Sequence, residues 1–290
     1  MSKGVIRVVC YVASLFVVGP LAGAFAQGWA APDGAGNATA FTSGAPLAGF
    51  LGLVAIFALA LATGRIVARL TDPAAATGCC GVVLAWAAFR SGSITDIYAS
   101  GSTGPFALAI EGVLVGLLAL LCLSSVTAAS VAAYPDLRLH PGQVFRHTAR
   151  NIGATLTPVG LMCAGASAVV VLLIASLIAV EGLSGQTFAA AMVASIAAGA
   201  ASRVVAGLRS VEAPLCASVL GVAIAAGLAP ILGSFIGSGS IAELARSGEL
   251  LGAARLGPLD FAAGAMLGAP LGARWYGASA PPEVKPAEAG

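Results

Sequence analysis

The chain has 290 residues, of which 59% are hydrophobic and only 9% charged, with a net charge of +2 and a mean hydropathy of +0.98. A soluble domain carries roughly a quarter of its residues charged, so this composition leaves too little polar surface to face water. The weak positive charge, with no basic stripe outside the loops, argues against a nucleic-acid partner.

The apolar residues fall into runs near 5–26, 47–64, 74–89, 105–133, 153–180, 187–208, 213–236 and 257–275. Each approaches the length a helix needs to cross a ~30 Å hydrocarbon core. Only helices and closed barrels satisfy their backbone groups in lipid. Barrel strands would alternate apolar and polar residues, and Val169–Val180 does not. The fold class expected is an all-α polytopic membrane protein of about eight transmembrane helices, with the lipid bilayer as its surroundings.

In chain order, the first run starts with Lys3 and Arg7 and passes Gly19-Pro20 to Ala24-Phe25-Ala26. It reads either as a retained span or as a signal peptide with an A-x-A cleavage site. With the N-terminus inside, eleven of the fourteen basic residues fall on inner segments; Arg90, Arg246 and Arg255 fall outside. This bias sets both termini on the cytoplasmic side of a bacterial inner membrane. Trp29 and Tyr98 then fall at outer ends and Tyr134 and Trp275-Tyr276 at inner ends, as interface aromatics do, while Trp86 lies mid-span and is expected to pack against protein.

The third run is short and carries Gly78 and Gly81, and the fourth carries Glu111 with Gly112 and Gly116. Between runs four and five lies an inner segment with Arg146, His147 and Arg150, either ordinary inside charge or a patch that docks on anionic lipid or a cytoplasmic partner. The outer segment Ile241–Leu256 alternates Glu243, Arg246, Glu249 and Arg255 with leucines and reads as a helix lying in the interface, which Ser247-Gly248 would interrupt. In the last run Asp260, Gly264, Gly268 and Gly272 recur every four residues and so share one face. Ala263 lies off that face and is expected to meet lipid. Residues 277–290 form a polar tail, Pro-rich from Pro281, expected to be disordered.

The ends of spans two and six match: Ala62-Thr63-Gly64-Arg65-Ile66-Val67-Ala68-Arg69-Leu70 against Ala200-Ala201-Ser202-Arg203-Val204-Val205-Ala206-Gly207-Leu208. Cys79 then stands opposite Cys216, and Gly112/Gly116 opposite Gly264/Gly268. Two parallel four-span repeats follow as an expectation: 1–133 as the first half, 134–152 as a cytoplasmic linker and 153–276 as the second half. Chance matching among abundant Ala, Gly and Val is the competing reading.

The chemistry-bearing residues are few. Glu111, about two turns into span four, and Asp260, at the start of span eight, are carboxylates in membrane segments, where a charge is costly unless it meets protein, water or a partner. Arg90 is the partner expected for them. Together they are the candidate substrate- or ion-binding residues of a small-solute transporter. A carboxylate at a helix N-terminus is the structural alternative for Asp260, and an ion pair for Glu111. Gly112, Gly116, Gly264, Gly268 and Gly272 are candidate packing positions, because small residues let helices approach closely; they would serve a scaffold or assembly subunit, as a homo-oligomer or with a membrane partner. Pro20, Pro158, Pro230 and Pro270 interrupt spans or their ends.

No phosphate loop, zinc-protease, nucleophile-elbow or paired intramembrane aspartate motif occurs, so no enzyme, cofactor or metal site is expected. The six cysteines lie in or beside apolar runs, form no CxxC, and read as small packing residues.

Overall fold

The computed structural model describes residues 3–32, 37–101, 103–131, 141–207, 212–236 and 239–279. Tyr134, Arg138, Arg209, Lys285 and the tail from 280 onward lie outside the described residues, as does most of the expected linker's first half. The side chain of Tyr276 is likewise not described.

The chain is all-α. Its helices are α1 (Lys3–Ala13), α2 (Gly19–Gln27), α3 (Pro46–Leu70), α4 (Pro73–Arg90), α5 (Ile94–Ala99), α6 (Pro105–Val131), α7 (Pro141–Thr155), α8 (Pro158–Ile178), α9 (Ser184–Ala206), α10 (Glu212–Ile236), α11 (Ile241–Ser247) and α12 (Pro258–Ser279). Among the described residues the only bridge pair is Ala30 with Asn37. Seven helical stretches are long and apolar enough to cross a membrane: Lys3–Gln27, Pro46–Leu70, Pro73–Ala99, Pro105–Ala129, Pro158–Ile178, Ser184–Ala206 and Ala213–Ile236. The protein is therefore a multi-pass helical membrane protein. α12 has 22 residues, about 33 Å at 1.5 Å each. It holds Asp260, Arg274 and two prolines, and is not among those seven.

α12 occupies the centre. It packs against α9, α4, α10 and α6, and every residue from Pro258 to Pro270 except the half-buried Leu267 is buried. Ala263, expected to face lipid, is 0% exposed, because α12 has neighbours all round and no lipid side along that stretch. The apolar side chains exposed on α1 and α8, such as Phe16, Val17 and Leu177, form the outer wall that meets lipid.

Local chemistry explains the element ends. α1 and α2 form one rod through a π-helical turn at Ser14–Val18, closed by the Gly19 N–H on the Ser14 carbonyl. Pro20 cannot donate to, and would collide with, the carbonyl four residues back; the widened turn accommodates it. α3 and α4 are joined through Thr71 and Asp72 alone, so they run antiparallel. The Asp72 carboxylate caps the amides of Ala74 and Ala75 at 3.1 and 3.2 Å and forms an ion pair with Arg7 at 2.7 Å.

The run expected as one span over 153–180 is divided. α7 ends at Thr155, and α8 starts at Pro158 with Thr157 capping the Gly160 amide. Proline at the first helical position needs no donor, and its ring disfavours helix in the residue before it, so the break falls there.

The segment 241–256 is also not one helix. Gly248, at φ +77°, ends α11 in the left-handed region. Leu244, Ala245 and Leu250 turn onto Ile94, Ile97 and Tyr98, so α11, a 3₁₀ turn at Gly252–Arg255 and α5 form a cap over one end of the bundle. The Arg246 guanidinium donates to the Ala99 carbonyl at the end of α5, and Arg255 bonds the Leu250, Gly248 and Val180 carbonyls. Arg246 and Arg255 are thus engaged by backbone carbonyls.

Two of the aromatics expected in the belt turn inward. Trp29 and Tyr98 are 3% and 0% exposed, while Trp275 is 72% exposed. Trp29 packs across Gly52, and Trp86 lies across Gly19. Four of the cysteines are fully buried or within 1% of it, Cys122 is 3% exposed, and none of the six forms a disulfide.

Candidate functional site

Glu111 lies on α6, whose first residue is Pro105, and is 1% exposed. Its oxygens are taken by the segment that joins α2 to α3. The Thr39 hydroxyl donates to Oε2 at 2.6 Å, the Phe41 amide to Oε2 at 3.1 Å and the Ala40 amide to Oε1 at 3.1 Å. Thr42 completes the turn, its hydroxyl accepting from the Thr39 amide and sharing a bond with the Thr39 hydroxyl, each at 2.9 Å. Two convergent amides and a hydroxyl form a cradle built for an anion.

That segment is non-helical backbone pressed into the bundle. Ala38, Thr39 and Ala40 are at most 2% exposed. Glycine makes the approach possible at two places: a Cβ at Gly49 would strike the Ala40 carbonyl group, and one at Gly92 would sit 2.6 Å from the Asn37 carbonyl carbon. Irregular backbone is tolerated at such depth only when protein covers it and its polar groups are satisfied. Glu111 supplies three of those satisfactions.

Asp260 is buried in the first turn of α12 and accepts from the Gly257 amide at 2.9 Å, with the Thr187 hydroxyl beside it. This is the helix-N-terminus arrangement, in which a carboxylate meets free N–H groups. Arg90 ends α4 and is exposed; its carbonyl accepts from the Asn37 side chain. The expected pairing of Arg90 with Glu111 is not what the carboxylate meets, because segment 39–41 reaches it first. The hydrogen-bond partners of the three residues do not overlap.

The five candidate packing glycines are all turned inward. Gly112 and Gly116 face α10: a Cβ at Gly112 would sit 2.5 Å from the Ala226 carbonyl oxygen, and one at Gly116 would overlap Ala223. Pro230 lies four residues after Ala226 and cannot bond that carbonyl, so the freed oxygen points at the Gly112 Cα, where a weak Cα–H···O contact fits. Gly264, Gly268 and Gly272 face α9 at Ala191, Met192, Ser195 and Ile196. The two glycine faces therefore meet non-equivalent neighbours, although α4 meets α12 much as α10 meets α6.

One group went unremarked at the level of sequence. Arg65, one turn before Arg69, donates through Nε and Nη2 to the Ser125 hydroxyl of α6 at 3.1 and 2.6 Å. Both arginines line a cleft of about 800 Å³. The available signal was their four-residue spacing inside the end of an apolar run.

No protein-family model, curated protein or solved structure matches the chain.

Proposed function

We propose that the protein is a non-catalytic membrane scaffold, a close-packed bundle that holds its two ends in fixed relation. The observation that carries this reading is the spending of both intramembrane carboxylates on chain ends and loops. Glu111 pins segment 39–41, and Asp260 caps α12. Among the described residues, neither lines the cleft of Arg65 and Arg69 or the clefts beside Trp29, Asp72 and Phe188. A carrier's binding carboxylate must meet water or solute in turn from each side, and a fully hydrogen-bonded group at 1% exposure does not in this state. Orientation follows the positive-inside rule: the ends bearing Lys3, Arg65, Arg69 and Arg203 face the cytoplasm of a bacterial inner membrane, as do both termini. The four-plus-four division belongs to the same proposal, with α4–α12 and α6–α10 as the corresponding contacts between halves.

A second reading has one observation in its favour. Glu111 is buried with no cation among its partners, so its hold on segment 39–41 depends on accepting three bonds at once. Protonation, or a competing anion in the cradle, would release the segment. In a permease this would open a plug on the outer side, with Glu111 as the coupling group.

Cysteine accessibility separates the two. Val115, one turn from Glu111 and 0% exposed, is replaced by cysteine in a Cys10→Ser background and treated with a membrane-impermeant maleimide. The scaffold predicts no reaction from either side across the working pH range. Reaction from both sides in turn would establish alternating access and discard the scaffold. In the same experiment Gly185→Cys, whose added side chain meets nothing within 4 Å, labels from outside and Thr71→Cys does not; the reverse inverts the orientation.

A further inference from the structure

We propose that the cleft between α3, α6 and α7 holds one anionic phospholipid, with its phosphate between Arg65 and Arg69 and an acyl chain along Leu61, Leu121 and Leu156. The cleft encloses about 800 Å³, within the range of small-molecule sites. Both α3 and α7 pack on α6, and the space opens between them. Asn151 of α7 donates to Thr127 of α6 at 3.2 Å, which anchors that wall. The cleft combines two features that single out an anionic amphiphile.

The first is unbalanced charge. Arg65 and Arg69 lie four residues apart on one face of α3, where like charges repel. Among the described residues, no Asp or Glu stands in the wall of the cleft. The guanidinium of Arg65 has five N–H groups and is held in place by two of them on Ser125, which leaves the others free to meet an anion. A phosphate matches the guanidinium fork and removes the repulsion between the two cations. Thr148, also in the wall, belongs to α7.

The second is the apolar depth beneath that charge. Leu61, Leu121 and Leu156 form the cleft's wall away from the arginines, with Ile152 and Phe145 on the α7 side. Phe145 is 74% and Leu156 61% exposed, so the cleft stands open to lipid. A soluble anion would leave this surface bare, and a zwitterionic lipid would bring its own cation to the arginines. Basic pockets between helices on the cytoplasmic side suit anionic headgroups.

The test uses the purified full chain in mild detergent, read by thermal unfolding and by native mass spectrometry. Added phosphatidylglycerol is expected to raise the unfolding temperature and to appear as a retained adduct, whereas phosphatidylcholine does neither. Arg65→Gln with Arg69→Gln should weaken phosphatidylglycerol binding roughly tenfold or more, the scale of losing a hydrogen bond to a charged group. If the double variant does not fold, Arg69→Gln alone carries the test, since its exposed side chain leaves the Arg65–Ser125 contact intact; the same weakening is expected. Arg146→Gln with Arg150→Gln, on exposed positions of α7, should bind as wild type. The proposal is overturned if the arginine variants bind unchanged, if the α7 variant loses binding equally, or if phosphatidylcholine matches phosphatidylglycerol. It is also overturned if inorganic phosphate alone reproduces the full thermal shift, which would make this an anion site without a lipid.

Discussion

Replacing Glu111 by glutamine tests whether this carboxylate is a structural pin. The change keeps size and shape but turns one acceptor oxygen into an amino group. In its better orientation the glutamine oxygen stays at the Oε2 position and still accepts from Thr39 and Phe41. The amino group then faces the Ala40 amide, donor against donor. A buried N–H left without an acceptor costs about 1–3 kcal/mol, and each surviving bond loses the strengthening a charge confers, about 1 kcal/mol. Removing a charge from a site away from water offsets part of this, and a net loss of about 2–3 kcal/mol is expected. For a chain of this size that corresponds to roughly 5–10 °C in unfolding temperature. Thr39→Val removes two bonds, those of its hydroxyl with Glu111 and with Thr42, and should cost about 2–3 kcal/mol. The double variant should depart from additivity by more than about 0.5 kcal/mol, because the two side chains touch. Arg90→Gln should stay within about 0.5 kcal/mol and leave the Glu111→Gln loss unchanged. The assay is thermal unfolding of the purified protein in one detergent at fixed pH. Rescue of Glu111→Gln by Arg90→Gln would refute the reasoning, since it would show that the carboxylate answers a cation and not the segment.

Gly268→Leu should abolish accumulation of folded protein, because any side chain there meets the Met192 carbonyl and the Ile196 amide. Gly165→Leu, at an exposed glycine of α8 with open space around it, should accumulate as wild type; equal loss in both would mean that leucine, not the α9–α12 contact, is responsible. At α11 the Ser240 amide and hydroxyl donate to Glu243 at 2.8 and 2.9 Å and hold its carboxyl below the usual carboxylate range. A depressed folded pKa means that the contribution is present above the unfolded value and lost as pH falls through the folded one. Hydrogen exchange in α11 should therefore quicken on acidification below about pH 4.3, and Glu243→Gln should flatten that dependence; a variant with the same pH profile would show that the cap does not cause it.

The spans were legible because each is a local property: a run of apolar residues bounded by Gly, Pro, Ser or Asp. α10 ends at Ile236, where its run does, whereas α3 continues past position 64 to Leu70. The division at Thr155–Pro158 was also written locally, in Pro158 and its Thr157 cap, but the apolar run across it concealed the signal. The surroundings of side chains were not legible in the same way. Glu111 and Arg90 are complementary charges at compatible depths, and sequence offers no view of a loop from residues 39–41 arriving between them. Trp29 and Tyr98 stand at span ends, where exposed aromatics are common, and only the packing of the loop and of α11 decides that they turn inward. Glycine spacing marked faces of close approach, but not which neighbour each face meets.

The central position of α12 bears on how the protein is made. α12 leaves the ribosome after every other described helix, yet it is the one that the others surround. The seven apolar stretches before it can each enter lipid on their own apolarity. α12, with Asp260 and Arg274, is poorly suited to do so alone and finds its partners only in a slot already lined by α4, α6, α9 and α10. Insertion and packing are thus a single event for this helix. Until it occurs, the small-residue surfaces of α4 and α9 face lipid or one another, and the arrival of α12 closes the bundle from within.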